Sequence, residues 1–350
     1  MAQAHPGLSL ARRALDRFFA RHHHPVAARE EGLLTTVNLK VKRYDPETKE
    51  SRYQEYSIDV DENAALLDAI IAVREYQDPT LAVRCSCRSA ICGSCGMRVN
   101  GHARLACKTK LAEIAPNGET VTVEPMGNMK PIKDLVTDMT AFWDKVKQIQ
   151  PWLRAQQPPP DHEHIAKPDA MLDLAGTMNC IMCGCCVSDC ASLEIDQNFI
   201  GPAALAKAYR FVGDPRETEQ ARDDRLKELS KYGGVWDCTH CFECVQVCPK
   251  DVAPMDRILD LRRTAMEAGY QDNYGAKHSN SFAKSVKNSG WLNEARVAVE
   301  SFGVDDVSAQ LKMLPTGVRA LLRGKMPPLL HHKRPGSEHV KRIFQEMEKD

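Results

Sequence analysis

The sequence has no long hydrophobic run and no excess of charge of either sign. Nowhere among its 350 residues do about 18 consecutive apolar residues occur, the length that a membrane-spanning helix requires. We therefore expect that the chain does not cross a bilayer by itself and that any link to a membrane comes through a partner. Its 47 basic residues balance 47 acidic ones, so nothing indicates a nucleic-acid partner.

Cysteine, by contrast, is abundant and unevenly distributed. Of the 14 cysteines, five lie within residues 85–107, five within 180–190 and four within 238–248. A secreted protein held together by disulfides is usually short and spreads its cysteines along the chain. Closely spaced cysteines in a long chain instead predict thiolate metal sites in a reducing compartment.

Residues 1–34 have the composition of an N-terminal extension. Leu8, Ala11, Leu15 and Phe18 follow helical spacing, which resembles a transit peptide. The acidic residues and the near absence of serine favour the alternative, an extension that is frayed or that contacts a partner.

Residues 35–130 predict a small α+β domain. Alternating apolar residues are typical of strands, and the first two predicted strands form a hairpin. The dipeptide Asn100-Gly101 favours a second hairpin turn, and Asp61 is the predicted N-cap of the helix. The predicted elements are strands near 35–43, 56–60, 97–99 and 120–124 and a helix over 64–75.

Helical patterns dominate the rest of the chain. Residues 131–167 are expected to form a connector that is helical from 132 to 152 and continues into a proline-rich linker. Residues 168–268 predict a second, mostly helical domain with a core built around inorganic clusters. We expect the two domains to be separate units joined by that linker.

Residues 269–350 contain no cysteine and predict a helical C-terminal extension. Helices are expected over 281–302 and near 318–322, with a loop or tail at 327–332. Four leucines of the extension fit either a surface for a partner or an ordinary core, and we expect core burial. They are Leu311, Leu314, Leu321 and Leu322.

Four cysteines of the first group have the spacing C-x4-C-x2-C-x11-C. They are Cys87, Cys92, Cys95 and Cys107. The first three match the plant-type ferredoxin pattern for a 2Fe–2S cluster, in which the fourth thiolate comes from further along the chain. Gly93 and Gly96 let backbone amides approach the sulfurs, because glycine has no Cβ. A structural zinc site is the alternative, and Cys85 is expected to be a bystander.

The other two groups each contain C-x2-C-x2-C-x3-C, the run of a bacterial two-cluster ferredoxin. In that arrangement the fourth cysteine of each run binds the other cluster. We therefore predict one 4Fe–4S cluster bound by Cys180, Cys183, Cys186 and Cys248. We predict a second 4Fe–4S cluster, or a 3Fe–4S cluster without Cys241, bound by Cys190, Cys238, Cys241 and Cys244. Cys185 fits no ligand position.

The order of these sites and the stretches between the cysteines resemble the iron–sulfur subunit of succinate dehydrogenases and fumarate reductases. In the first domain the similar stretches are Leu66–Ile70, Asp78–Leu81, Cys87–Cys95, Leu105–Cys107 and Pro131–Val136. In the second domain they are Phe199–Leu205 and Ala208–Phe211. The resemblance covers residues 36–265 and implies a β-grasp-like 2Fe–2S domain followed by a two-cluster ferredoxin-like domain, an α+β fold.

This resemblance implies an electron-transfer subunit. Electrons pass between a partner flavoprotein that holds FAD, where succinate or fumarate reacts, and a quinone at the membrane anchor. By this likeness the chain binds no dicarboxylate and holds no flavin. It implies a peripheral protein on the cytoplasmic face of a bacterial inner membrane, or on the matrix face in mitochondria. The alternative is the iron–sulfur subunit of another flavin dehydrogenase or of a heterodisulfide-reductase-like complex.

The sequence departs from the family pattern around the third site. The family commonly lacks a cysteine at the position of Cys241 and holds a 3Fe–4S cluster there, whereas the thiolate here predicts a 4Fe–4S cluster. Ala191 replaces the usual proline, Thr239 replaces the usual histidine, and the tryptophan expected within 193–196 is missing. These changes resemble a less common branch whose anchor is cysteine-rich or tuned to a low-potential quinone.

Overall fold

A computed structural model of the chain describes residues 34–155, 161, 163–328 and 332–349. The N-terminal extension before residue 34, with its predicted helical face, and the proline-rich linker at 156–160 lie outside the described residues. Residues 329–331 of the predicted loop also lie outside them. The boundaries of the five predicted segments stay a prediction.

A five-stranded mixed sheet forms the first part of the structure. Its elements are β1 (Leu34–Tyr44), β2 (Ser51–Asp61), α1 (Leu66–Tyr76), β3 (Gly96–Val99), β4 (His102–Leu105), α2 (Leu111–Ile114) and β5 (Val121–Glu124). The strand order is β2-β1-β5-β3-β4, with β1 antiparallel to β2 and parallel to β5. Strand β3 is antiparallel to both β4 and β5. Both predicted hairpins, the helix and the α+β class are confirmed.

The alternation in β1 produces the core of this sheet. Successive side chains of a strand point to opposite faces, and the buried face of β1 carries Val37, Leu39 and Val41. They join Leu67 and Ile70 of α1 in one hydrophobic cluster. The helix therefore covers one face of the sheet and leaves the edge near β3 and β4 for the cysteine-bearing loop.

The prediction of Asp61 as the N-cap of α1 is wrong. The N-cap is Ala65, whose backbone N–H donates to the carboxylate of Asp68 at 3.1 Å. Asp61 instead ends β2, where its carboxylate accepts from the N–H of Asn63 at 2.9 Å. Helical spacing located the helix, but the short turn before it decides which acidic side chain reaches the free amides.

The connector is only partly helical, so the prediction of a helix over 132–152 is wrong for its first part. Strands β6 (Pro131–Lys133) and β7 (Val136–Thr137) pair with each other, and α3 (Thr140–Gln148) follows. Between the strands, the buried carboxylate of Asp134 accepts from the N–H of Tyr44 at 3.3 Å. It also accepts from the N–H of Ala82 at 2.8 Å. These bonds hold the segment extended against the end of β1.

The segment after the linker is mostly helical, as predicted. Its helices are α4 (Pro168–Met178), α5 (Cys185–Ser188), α6 (Ala191–Ile195), α7 (Pro202–Val212), α8 (Glu219–Leu229), α9 (Glu243–Gln246) and α10 (Pro254–Glu267). Helices α7 and α10 pack together around a second core. Phe199, Leu205, Met255 and Ile258 are buried in it. The helices that carry cysteines, α5 and α9, have only four residues each.

The C-terminal extension is helical, but its elements differ from the predicted ones. They are α11 (Tyr274–Ser289), α12 (Glu294–Phe302), α13 (Val307–Leu322) and α14 (Ser337–Met347). The single helix predicted over 281–302 is two helices, and α14 was not predicted. Leu311, Leu314, Leu321 and Leu322 are 61–82% exposed, so the prediction of core burial is wrong. Helix α13 buries Ala309 instead.

The two cysteine-bearing parts are in direct contact, and the expectation that they are separate units stays a prediction. Asn128, which follows β5, donates from Nδ2 to the carbonyl oxygens of Val187 at 2.9 Å and Cys190 at 3.0 Å. In the opposite direction, the carboxylate of Asp189 accepts from the N–H of Ala103 in β4 at 2.6 Å. Polar groups on both sides thus find partners across the boundary.

Arg43 on β1 joins three segments of the first part through buried charges. Its guanidinium lies 2.6 Å from Asp78 Oδ2 and 2.8 Å from Asp134 Oδ1, and the residue is 5% exposed. Hydrogen bonds from Thr80 and Tyr56, together with Arg43, hold the pKa of Asp78 well below its usual range. The carboxylate of Asp78 therefore stays charged in the folded protein.

We expect Arg43→Met to lower the free energy of unfolding by about 3–5 kcal/mol, because it leaves buried carboxylates without a counter-charge. Lys42→Met is the matched control. Lys42 pairs with Glu124 at 3.3 Å near the surface, so its loss should cost less than about 1 kcal/mol. Urea unfolding of the cluster-loaded chain measures both changes. Equal effects of the two substitutions would contradict the importance of the buried pairs.

Candidate metal centres

The loop before β3 turns its backbone amides toward cysteine sulfurs. The donors to Cys87 Sγ are the N–H groups of Ser89, Ile91 and Cys92, at 3.2–3.3 Å. The N–H of Ala90 donates to Cys107 Sγ at 3.3 Å. Such bonds stabilise negative charge on sulfur and tune the potential of a bound cluster.

The four cysteines predicted to bind the first cluster lie around this loop. Cys95 is buried, and burial, with the neighbouring Cys107, raises its pKa to about 12. Cys92 is exposed, and a hydrogen bond with Ser94, 3.1 Å from Sγ to Oγ, lowers its pKa to about 6. Cys85 packs against the hydrophobic cluster of the sheet. The loop thus presents thiols both to the protein interior and to the surface.

Cysteines from both later groups line one small cavity. They are Cys180, Cys183, Cys186 and Cys248. Apolar side chains such as Val252 and Pro254 form much of the remaining wall. Burial raises the pKa of Cys180, and the thiols of Cys183 and Cys248 add to the rise. A cysteine of the third group therefore stands with three of the second, the same grouping that the spacing predicts.

The remaining four predicted ligands lie within electrostatic reach of one another. Burial, with the thiols of Cys238, Cys190 and Cys241, raises the pKa of Cys244 to about 12. Burial also raises the pKa of Cys190, and the neighbouring thiols of Cys238 and Cys241 add to the rise. Cys241 is exposed, whereas Cys244 and Cys190 are buried.

The three groups form a series. A Cβ added to Gly93 in the first loop would lie 2.8 Å from both Cα and Cβ of Cys183, so this loop touches the second group. Burial raises the pKa of Cys186, and its neighbours include Cys244 of the third group. Cys185, completely buried beside Cys186, joins the core of the sheet.

The donor chemistry fits iron–sulfur clusters. Thiols that raise one another's pKa ionise together only when a cation compensates their charge, and metal ions do this. Among the residues with described positions, no three His, Cys, Asp or Glu side chains converge as a single ion requires. An iron–sulfur cluster takes four thiolates, the number of cysteines in each of the three predicted sets.

Several residues at these sites were not predicted from the sequence. Ser94 bonds to Cys92, and the hydroxyl of Ser192 accepts from the N–H of Thr239 at 3.3 Å next to Cys238. The contact between Gly93 and Cys183 was also missed. No local pattern marks it, because it joins residues of two different parts of the fold.

Two family profiles match the chain. One, described as a 2Fe-2S iron-sulfur cluster binding domain, matches residues 38–144. The other, described as a 4Fe-4S dicluster domain, matches residues 176–252, which include all predicted ligands of the two later clusters. The chain therefore carries 2Fe–2S and 4Fe–4S clusters, which decides against the zinc alternative.

Curated relatives match most of the chain. The 8-methylmenaquinol:fumarate reductase iron-sulfur subunit of Wolinella succinogenes is 36% identical over 275 residues, 77% of this chain and 84% of the relative. The fumarate reductase iron-sulfur subunit of Mycobacterium tuberculosis is 37% identical, covering 67% of this chain and 94% of the relative. The succinate dehydrogenase iron-sulfur subunit of Coxiella burnetii is 34% identical, covering 66% and 97%.

A solved structure agrees with these relatives. A chain of the Mycobacterium smegmatis Sdh1 complex in the apo form matches with a TM-score of 0.63 and 25% identity, over 69% of this chain and 99% of that one. Sequence, cysteine grouping and fold point the same way. The chain therefore belongs to the family of iron–sulfur subunits of succinate dehydrogenases and fumarate reductases.

Proposed function

We propose that the chain carries electrons between a flavoprotein subunit that holds FAD and a quinone at a membrane anchor. The observation that supports this most directly is the series of three cysteine groups, in which neighbouring groups are close. Family membership makes the chain the electron-transfer subunit of a succinate dehydrogenase or fumarate reductase. Iron–sulfur clusters supply one-electron transfer, and the protein holds them and sets their spacing and potential.

The proposed ligands follow the three groups. For the 2Fe–2S cluster they are Cys87, Cys92, Cys95 and Cys107, supported by the amides that point at two of these sulfurs. For the middle 4Fe–4S cluster they are Cys180, Cys183, Cys186 and Cys248, supported by the shared cavity. For the third cluster they are Cys190, Cys238, Cys241 and Cys244, supported by their electrostatic proximity.

The first and third groups each reach the surface. Cys92 is exposed, and Ile91 beside it is 64% exposed. Cys241 is exposed as well, next to Phe242, which is 44% exposed. Exposed apolar residues at such places suit a protein partner. We assign the flavoprotein to the surface at Cys92 and the anchor to the surface at Cys241.

The quinone side differs from the common family pattern. Ile195, in the stretch where a tryptophan is expected, is 84% exposed, and Thr239 is held by Ser192. A relative at 36% identity is named for 8-methylmenaquinol. The departures from the family pattern and the name of this relative favour a menaquinone-type acceptor over ubiquinone. The electrons would reach this quinone through an anchor that is cysteine-rich or tuned to a low-potential quinone.

Attachment to the membrane is proposed to be peripheral. Within residues 34–155, 163–328 and 332–349, every helix is too short or too polar to cross a bilayer. The anchor subunit would hold the complex on the cytoplasmic face of a bacterial inner membrane, or alternatively on the matrix face in mitochondria.

Purification of the native complex tests this function. We expect an FAD-containing subunit to co-elute with the chain. Succinate should reduce the iron–sulfur clusters and fumarate should reoxidise them, and the absorbance of the clusters measures both changes. A co-eluting flavoprotein that reduces the clusters with another substrate, but not with succinate, would contradict the proposal. The co-purified quinone identifies the acceptor.

The type of the third cluster tests whether Cys241 is one of its ligands. We expect the isolated, oxidised protein to lack the electron paramagnetic resonance signal of a 3Fe–4S cluster, because Cys241 supplies the fourth thiolate. Cys241→Val should create that signal and raise the cluster's potential, since cluster type and net charge both change. Cys185→Ala, which alters a buried cysteine outside the ligand sets, should change neither. A strong 3Fe–4S signal in anaerobically prepared, unmutated protein would show that Cys241 is not bound.

The contact at Gly93 is proposed to keep the first two clusters close. Its φ is +74°, and an added Cβ would meet the backbone of Cys183. We expect Gly93→Ala to slow electron transfer from the 2Fe–2S cluster to the middle cluster several-fold, measured by rapid-mixing reduction of the complex. Gly101→Ala is the matched control: its φ is +88°, but nothing lies within 4 Å of the added Cβ.

Both alanines carry a backbone penalty of about 1–3 kcal/mol, so both should lower thermal stability. Only Gly93→Ala should slow the transfer. Equal transfer rates in the two variants would show that the approach of the first loop to Cys183 does not limit the rate.

A further inference from the structure

Helix α13 turns a continuous apolar stripe toward solvent. The stripe consists of Val307, Leu311, Leu314, Val318, Leu321 and Leu322. Each is between 49% and 82% exposed. With 3.6 residues per turn, these six positions fall within an arc of about 100°. The stripe therefore runs along the full length of the helix.

The helix packs through a different side. Ala309 is its buried residue, and Met313 and Ala320, which are partly exposed, lie on the same side at helical spacing. An amphipathic surface helix normally turns its apolar stripe inward. Here Ala309 packs against the protein, whereas a Cβ added to Gly317 would meet nothing within 4 Å. The leucines are left without a covering element among the described residues.

From the first residue of α13 to the start of α14, the charged residues have one sign. Between Asp306 and Glu338 the sequence contains no acidic residue. Its basic residues there are Lys312, Arg319, Arg323, Lys325, Lys333 and Arg334. Lys312 and Arg319 on the helix and Arg323 at its C-cap are exposed and lie on one side of the apolar stripe. In a chain whose total charge is balanced, this is a local concentration of positive charge.

We propose that α13 lies in the plane of an anionic lipid bilayer, with the stripe among the upper acyl chains and the basic residues among the headgroups. An exposed apolar face bordered by lysine and arginine is the arrangement of helices that bind at membrane interfaces. Anionic headgroups complement the charge. A second copy of the chain would bring the same positive charges together, so it is a poorer occupant.

This surface gives the chain its own contact with the membrane, in addition to the one expected through an anchor subunit. It rests on the exposure and charge of α13 and not on the assigned electron path. The complex would then meet the membrane by two independent contacts, one with lipid through α13 and one with protein through the anchor.

The test is flotation of the full-length, cluster-loaded chain with lipid vesicles. We expect binding to vesicles of phosphatidylcholine mixed with phosphatidylglycerol and little binding to phosphatidylcholine alone. Raising the salt from about 0.1 M to about 1 M should weaken binding, because screening shortens the electrostatic range. Leu314→Glu combined with Leu321→Glu should reduce binding at least tenfold, because each leucine loses its apolar burial.

Two pairs of substitutions separate the stripe and the charge from general surface effects. Arg319→Gln with Arg323→Gln should reduce binding about fivefold for each charge, whereas Lys341→Gln with Arg342→Gln on α14 should not. The control for the leucines is Ile165→Glu with Leu172→Glu, at side chains that are 81% and 70% exposed outside the extension. All substituted residues are at the surface, and unchanged cluster absorbance and circular dichroism confirm folding.

Three results would overturn the proposal. The unmutated chain fails to bind anionic vesicles, or the control pairs reduce binding as much as the α13 pairs. Alternatively, the leucine pair leaves vesicle binding intact but abolishes a concentration-dependent dimer, which would make a second copy the occupant. If the flavoprotein or quinone assignment were wrong, the results of these three measurements would not change.

Discussion

Burial of thiols that must ionise to bind metal is the constraint on which the second half of this structure depends. Burial, and after it the neighbouring thiols, raise the pKa values of Cys186, Cys190 and Cys244. Cys186 and Cys244 lie on helices of only four residues, and Cys190 is the N-cap of a helix of five, far below the length at which a helix is stable by itself. Metal binding that compensates the charge of the buried thiolates therefore also supplies stability to the fold, since ligand and core are the same residues.

The contact between the two cysteine-bearing parts is explained by the short distances between clusters that electron transfer requires. Electron transfer requires the first loop to approach the second group, and side chains on both parts are arranged to hold it there. Asn128 donates a hydrogen bond to the carbonyl oxygen of Cys190, and the carboxylate of Asp189 accepts one from a backbone N–H of β4. These hydrogen bonds pair backbone groups that would bind water if the two parts were joined only by a flexible linker. The backbone of each part therefore contributes directly to the interface.

The sequence allowed good prediction wherever the controlling interaction is local. Cysteine spacing, the alternation in β1 and the helical periods of α7 and α10 all depend on residues a few positions apart. The prediction for the helix cap failed because the exact path of a short turn decides it, and the prediction for the connector failed because a distant group decides it. Asp134 is held by Arg43, 91 residues earlier in the chain. In α13 the period indicated an apolar face correctly, but periodicity does not say whether that face meets the core or the solvent.

The crossed grouping of cysteines has a consequence for biosynthesis. The first loop has its complete set of thiols once Cys107 has left the ribosome. The cavity that contains Cys180 is lined also by Cys248, and Cys190 stands with Cys238. Neither later site is complete until nearly 250 residues have been synthesised. By the proposed ligand sets, a truncated chain that ends before the second run would keep three cysteines of the middle site and one of the third, so cluster delivery to this part would follow translation of both runs.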